Sequence, residues 1–239
     1  MILTTLLTSF LLASPSPSPP PPTAAEIVTR MAKRDQERRQ SLSGYTAVRR
    51  YVLENVQHHK RAEMLVRVDA NEEGTKTFSM ISSAGWGAVR KHVFPKLLKE
   101  ETDASRPELQ RLSRIVPENY TFSLCGIETI DSRDTYVINL VPRVEDRYLI
   151  RGRIWIDASD YALVRVEGQP AKSPSFWIKS VHFVHQYTKQ GSYWFPAYDR
   201  SVSDARFIGA TEVRIEYFDY EPNTSSLAQR QAADREESR

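Results

Sequence analysis

With one cysteine, Cys125, in 239 residues, no intramolecular disulfide can close, whatever the compartment. Its setting, Phe122-Ser123-Leu124-Cys125-Gly126, reads as an apolar strand end with no neighbouring cation or base, which predicts a buried, inert thiol. An excess of charge is missing too: 33 Lys and Arg stand against 30 Asp and Glu, interspersed along the chain. The basic spots Arg38-Arg39, Arg49-Arg50 and His58-His59-Lys60-Arg61 are short and neighboured by Glu37, Glu54 and Glu63. They read as solvated charge on exposed faces, and a nucleic-acid partner is not expected. No flexible linker divides the middle of the chain, so one folded unit is expected. Phosphate-binding loops are absent: Gly85-Trp86-Gly87 opens like a dinucleotide fingerprint, but Arg90 stands where the third glycine belongs. No Walker loop and no Gly-x-Ser-x-Gly elbow occur. No cofactor is expected.

What is present is enough for a core, since 40% of residues are apolar and 10% aromatic. The run Ile2 to Ala13 is uncharged and mostly apolar but too short to span a bilayer as a helix, which predicts a signal peptide and export. Ser14 to Pro22 favours an extended polyproline II spacer. No cysteine directly follows the apolar run, so an acylated amino terminus is not expected. Residues 1–25 are thus read as leader and spacer, 26–220 as the folded domain and 221–239 as a disordered tail.

Ala24 to Ser41 has the spacing of an amphipathic helix, with Ile27, Val28 and Met31 on one face. Beyond Gly44 the texture turns to β-branched and aromatic residues. Strands are expected at about 45–57, 61–70, 75–82, 119–124, 134–141, 148–157, 161–168, 175–188, 193–206 and 210–220. Short polar breaks at Asn71–Gly74, Asp131–Asp134, Asp157–Asp160 and Lys189–Ser192 have hairpin chemistry, so the strands should form an antiparallel meander. Ala88 to Val116 interrupts it: Val93, Phe94, Leu97 and Leu98, then Leu109, Leu112 and Ile115, have helical spacing. Pro95 and Pro107 sit where a first helical turn tolerates them. Each helix has one apolar stripe, which should pack on one face of the sheet.

Few constellations suggest chemistry. His182 and His185 could bind zinc from a helix, but Val181, Phe183, Val184 and Tyr187 around them read as strand, which sends the two imidazoles to opposite faces. His58-His59 has the same defect. The acids Asp157 and Asp160 sit in a turn, and Glu212, Arg214 and Glu216 alternate as cross-strand pairs on a wet face would. The chain is therefore not expected to be an enzyme, with a hydrolase of envelope polymers as the catalytic alternative. The aromatic and apolar load stands out instead. Tyr51, Met64, Val66, Phe78, Met80, Phe94, Leu97, Leu98, Tyr136, Ile138, Trp155 and Trp177 could each be ordinary core. As a set they suit a curved sheet that closes imperfectly over helices around an apolar, ligand-binding cavity.

Gly152-Arg153-Ile154-Trp155-Ile156-Asp157, Leu163-Val164-Arg165-Val166-Glu167-Gly168, Tyr193-Trp194-Phe195-Pro196 and Tyr217-Phe218-Asp219-Tyr220 resemble bacterial outer-membrane lipoprotein-sorting proteins of the LolA-like superfamily. The resemblance covers most of residues 26–220. It implies a mainly β, α+β fold: an antiparallel half-barrel sheet with helices covering its concave face. The expected function is that of a soluble, monomeric periplasmic carrier for lipid or lipoprotein acyl chains, with a membrane-bound donor or acceptor protein as partner. A lipid-sensing regulator that acts by protein contact is the alternative within the superfamily. On this resemblance Met64, Met80 and the aromatic residues form adaptable cavity walls, and the Pro95-bearing helix is a lid.

Overall fold

The structure is a computed structural model that describes residues 21–173, 178–205 and 209–224. Helix α1 spans Ala24–Ser41, the extent expected from its apolar spacing. A capping box starts it: the Thr23 hydroxyl accepts from the Glu26 amide at 3.3 Å, while the Glu26 carboxylate accepts from the Thr23 amide at 2.7 Å. No helix among the described residues is long and apolar enough to cross a membrane.

Ten strands follow, one for each expected: β1 (Leu42–Asn55), β2 (Lys60–Ala70), β3 (Lys76–Gly85), β4 (Tyr120–Ile130), β5 (Arg133–Pro142), β6 (Ile150–Asp157), β7 (Leu163–Pro170), β8 (Ile178–Gln190), β9 (Tyr193–Ala205) and β10 (Gly209–Thr224). They build one open, antiparallel half-barrel sheet in the order β3-β2-β1-β10-β9-β8-β7-β6-β5-β4. Each adjacent pair but one is consecutive in the chain. The exception, β1 with β10, brings the two ends of the folded region together at mid-sheet. The β4–β5 turn shows how tightly the meander is wound: Asp131 and Ser132 both take positive φ, 48° and 63°, matching the twist a two-residue hairpin needs.

This order explains the helices. The free edges are β3 and β4, which are consecutive in the chain, so residues 86–119 must travel from one edge of the sheet to the other. They do so over the concave face. Val89 and Phe94 pack near the β3 edge, and Ile115 packs against the apolar cluster beneath α1. The path comprises a π-helical turn, Val89–Val93, then α2 (Phe94–Ala104) and α3 (Pro107–Leu112). Pro95, near the start of α2, has no N–H for the carbonyl four residues back, and the helix widens just ahead of it: the Phe94 amide reaches the Val89 carbonyl. Only part of the expected stripe is buried. α3 buries no residue and Leu112 is exposed, because a six-residue helix between two turns has too little length to settle a face on the sheet.

Cys125 is exposed, which corrects the expectation of a buried thiol. β4 is an edge strand, and its register slips between Leu124 and Gly126, leaving Cys125 as the bulged residue with no partner on β5. The same bulge lets β4 run on to Ile130, past the expected end at 124. At the other terminus β10 continues through Pro222, paired with Tyr45, as far as Thr224. Residues 1–20 of the expected leader and spacer (1–25) and residues 225–239 of the expected tail (221–239) lie outside the described residues, whereas Ala24 and Ala25 already belong to α1 and residues 221–224 to β10.

Candidate functional site

Two apolar clusters share the concave face. Beneath α2, Tyr51 and Leu53 of β1 and Ala62, Met64, Val66 and Val68 of β2 meet Val89 and Phe94, with Phe78, Leu97, Leu98, Val213 and Ile215 half-buried around them. Beneath α1, Ile27, Val28 and Met31 pack on Tyr120, Ile138, Leu140, Ile154, Ile156 and Val166. Tyr136, Phe183 and Tyr187 border that second cluster.

The expected cavity residues divide accordingly. Tyr51, Met64, Val66, Phe78, Phe94, Leu97 and Leu98 come together under α2, while Tyr136 and Ile138 belong to the α1 cluster. Trp155 joins neither. It alternates with Ile154 and Ile156, which face α1, so it lies on the outer face with Val137 and Val164. There its indole N–H donates to Glu128 at 2.8 Å, and the Arg165 guanidinium stacks on its ring. Met80, on the edge strand β3, is 47% exposed although it pairs with the buried Val66. Trp177 lies outside the described residues.

Between the clusters the floor is polar. Arg49 of β1, expected in a solvated basic spot, is 1% exposed, because it shares the strand parity of Tyr51 and Leu53 and so points inward. Its Nη1 donates to Glu101 Oε2 of α2 at 2.8 Å, and the Tyr51 hydroxyl donates to Glu101 Oε1 at 2.8 Å. The guanidinium lies over the Tyr217 ring at 4.6 Å and the Phe78 ring at 5.4 Å. One strand on, the Tyr217 hydroxyl donates to Asp199 Oδ2, while His185 Nδ1 stands 2.7 Å from Asp199 Oδ1. A row of polar groups thus crosses β8, β9, β10 and β1 and ends on the covering helix.

Burial, reinforced by Glu101, pushes the Tyr51 hydroxyl well above the usual phenol range, and burial with Asp199 does the same to Tyr217. Both remain neutral donors at any ordinary pH. Burial opposes the charge on Arg49, but its surroundings, with the Glu101 carboxylate as the charged partner, outweigh it and raise its pKa, so the floor keeps a fixed cation.

The remaining polar candidates are engaged in ion pairs. His182 and His185 occupy opposite faces of β8, His182 near Glu167 at 3.8 Å and His185 on Asp199. Asp157 and Asp160 pair with Arg133, and Lys189 joins Asp160 at 2.7 Å. Glu212, Arg214 and Glu216 enter the expected cross-strand ladder: Arg200–Glu212 at 2.7 Å, Arg214–Glu54 at 3.0 Å and Arg50–Glu216 at 3.6 Å. A shallow polar depression at the β1–β10 junction, lined by Thr46, Val48, Arg67, Asp219 and Glu221 among others, lies apart from both apolar clusters.

Sequence reasoning missed the polar floor. The partners of Arg49 and Asp199 come from other elements of the chain, and only strand parity at Arg49 could have pointed inward.

No family model matches the chain, and no curated protein is similar to it. Solved structures similar to it include a DUF1329 family protein from Desulfovibrio piger, 10% identical, with a TM-score of 0.42 over 84% of this chain and 93% of that one. A LolA superfamily protein from Nitrosomonas europaea is 13% identical, with a TM-score of 0.38 over 85% and 94% of the two chains. The Mycobacterium tuberculosis lipoprotein LppX is 12% identical, with a TM-score of 0.32 over 81% and 94%.

Proposed function

We propose that this protein is an exported, soluble carrier that holds acyl chains between the concave sheet and the helices crossing it, and works in the periplasm to sort lipoproteins or other lipids. Its work on this reading is binding and release, without chemistry, and a membrane-bound donor or acceptor is its partner. The observation that carries the proposal is the apolar cluster beneath α2, covered by one short helix that starts at a widened turn beside Pro95.

Magnitudes support exchange between helix and ligand. Val89 and Phe94 are the fully buried side chains that hold the covering segment, and each contributes about 1.5–3 kcal/mol as an upper bound. An acyl chain burying roughly ten methylenes gains about 8 kcal/mol. The gain is of the same order as the apolar hold of the helix, whose Glu101 is also bonded to Arg49 and Tyr51, so chain and helix compete for the same face.

A fluorescent fatty-acyl probe tests this directly. The parent protein should bind it, and Leu98→Glu should weaken binding about tenfold or more, because the new carboxylate must be desolvated in an apolar cluster. Circular dichroism establishes that the variant is folded. A folded variant that binds as well as the parent, or a parent that binds no probe, contradicts the carrier reading. The regulator reading would then lead, supported by the free β4 edge, where Leu124 and Ile127 are exposed.

A further inference from the structure

The Arg49 guanidinium is accounted for on all sides but one. Aromatic rings of Tyr217 and Phe78 lie against it, and Nη1 serves Glu101 and, at 3.4 Å, the Tyr51 hydroxyl. Nε and Nη2 have no hydrogen-bond partner among the described residues, although both are buried. These two atoms are not a random remainder. Their N–H bonds run parallel along one edge of the guanidinium and form the fork that takes two oxygens of a carboxylate or phosphate side by side. Buried, charged donors without acceptors are costly, so an arriving anion gains more here than at the surface. The surroundings restrict what can arrive. Phe78, Leu97 and Leu98 border the same cluster, and the fork is sealed from solvent, so its anion must come attached to a chain that opens the apolar packing.

We propose that Arg49 is the headgroup anchor of the carrier, taking the carboxylate or phosphate of an anionic amphiphile through Nε and Nη2 while the apolar cluster holds its chain. This rests on the carrier reading above and adds to it a ligand class: singly anchored anionic lipids over neutral ones.

Competition against an acyl probe without a charged headgroup measures it, using dodecanoate, dodecyl phosphate and dodecanol as competitors. The two anions should compete at least about tenfold better than dodecanol, the worth of a charge-assisted pair. Whichever of them leads identifies the headgroup. Inorganic phosphate alone should not displace the probe; if it does, the fork serves free anions and the amphiphile assignment is wrong. In Arg49→Met the advantage of the anions over dodecanol should collapse toward one, and Arg49→Lys, which keeps the charge but loses the fork, should restore only part of it. An advantage that survives Arg49→Met in the folded variant overturns the proposal. If Arg49→Met does not fold, Glu101→Gln takes its place: removing the internal counter-anion should raise the advantage of the anions, and an unchanged ratio counts against the anchor. Equal binding of all three competitors removes the role of Arg49 and leaves the carrier intact, whereas binding of none of them removes the carrier reading as well.

Discussion

Among the described residues, buried charge is tied down on the concave floor and at the Asp157 turn, and the second allows a clean test of electrostatics. The Asp157 side chain is 1% exposed and accepts from Arg133 and from the amides of Ser159 and Asp160. Burial works to raise its pKa, but the Arg133 guanidinium and those amides prevail, and the carboxyl is held below its usual range. Its folded value therefore lies under its unfolded value of about 3.9. The stabilisation it contributes is complete above roughly pH 5 and is lost as pH falls through the folded value. Asp157→Asn should cost about 1–3 kcal/mol at neutral pH and flatten the acid limb of the stability profile, measured by urea unfolding across pH. An unaltered acid limb would mean that the carboxylate contributes little. The same residue scale shows where sequence reading fell short. Arg49 beside Arg50 looks like a surface basic pair, and one of the two is: Arg50 faces outward toward Glu63 and Glu216. Position along the strand separates them, and charge alone does not.

Strands and their turns were legible because period-two patterning and polar breaks are local signals. The expected strand set matches the ten observed, with errors at the ends. The largest error, at β4, arose at a bulge, where an extra residue breaks the period that the eye follows. The helical insertion was legible in extent but not in grip, since the depth of burial depends on how far each turn sits from the sheet. Two predictions belong here. Thr23→Ala, which removes the capping box of α1, should lower stability by about 1 kcal/mol in thermal unfolding, and Thr23→Ser should retain most of it. Phe94→Ala removes the main apolar hold of α2 and should speed amide hydrogen exchange across residues 89–104 well before it speeds exchange in β1 and β2. Uniform acceleration across sheet and helix would show that α2 does not open separately.

At the scale of the whole molecule, one topological fact organises the rest. Pairing β1 with β10 leaves β3 and β4 as the free edges, so the chain between them has to cross the open face and becomes the cover of the half-barrel. The meander was readable from hairpin turns, but this closure at mid-sheet was not, since nothing local in β1 or β10 names the partner. The polar row from His185 to Glu101 depends on that same pairing, which is why the floor was invisible in the sequence. A concave face with apolar clusters at two ends and a buried cation between them suits the proposed amphiphile. The most direct measurement is native mass spectrometry of the protein purified without detergent from an expressing bacterium. A folded protein carrying lipid-sized adducts that disappear on solvent extraction and return on addition of a fatty acid is the predicted result. A bare mass before and after that addition would contradict the account.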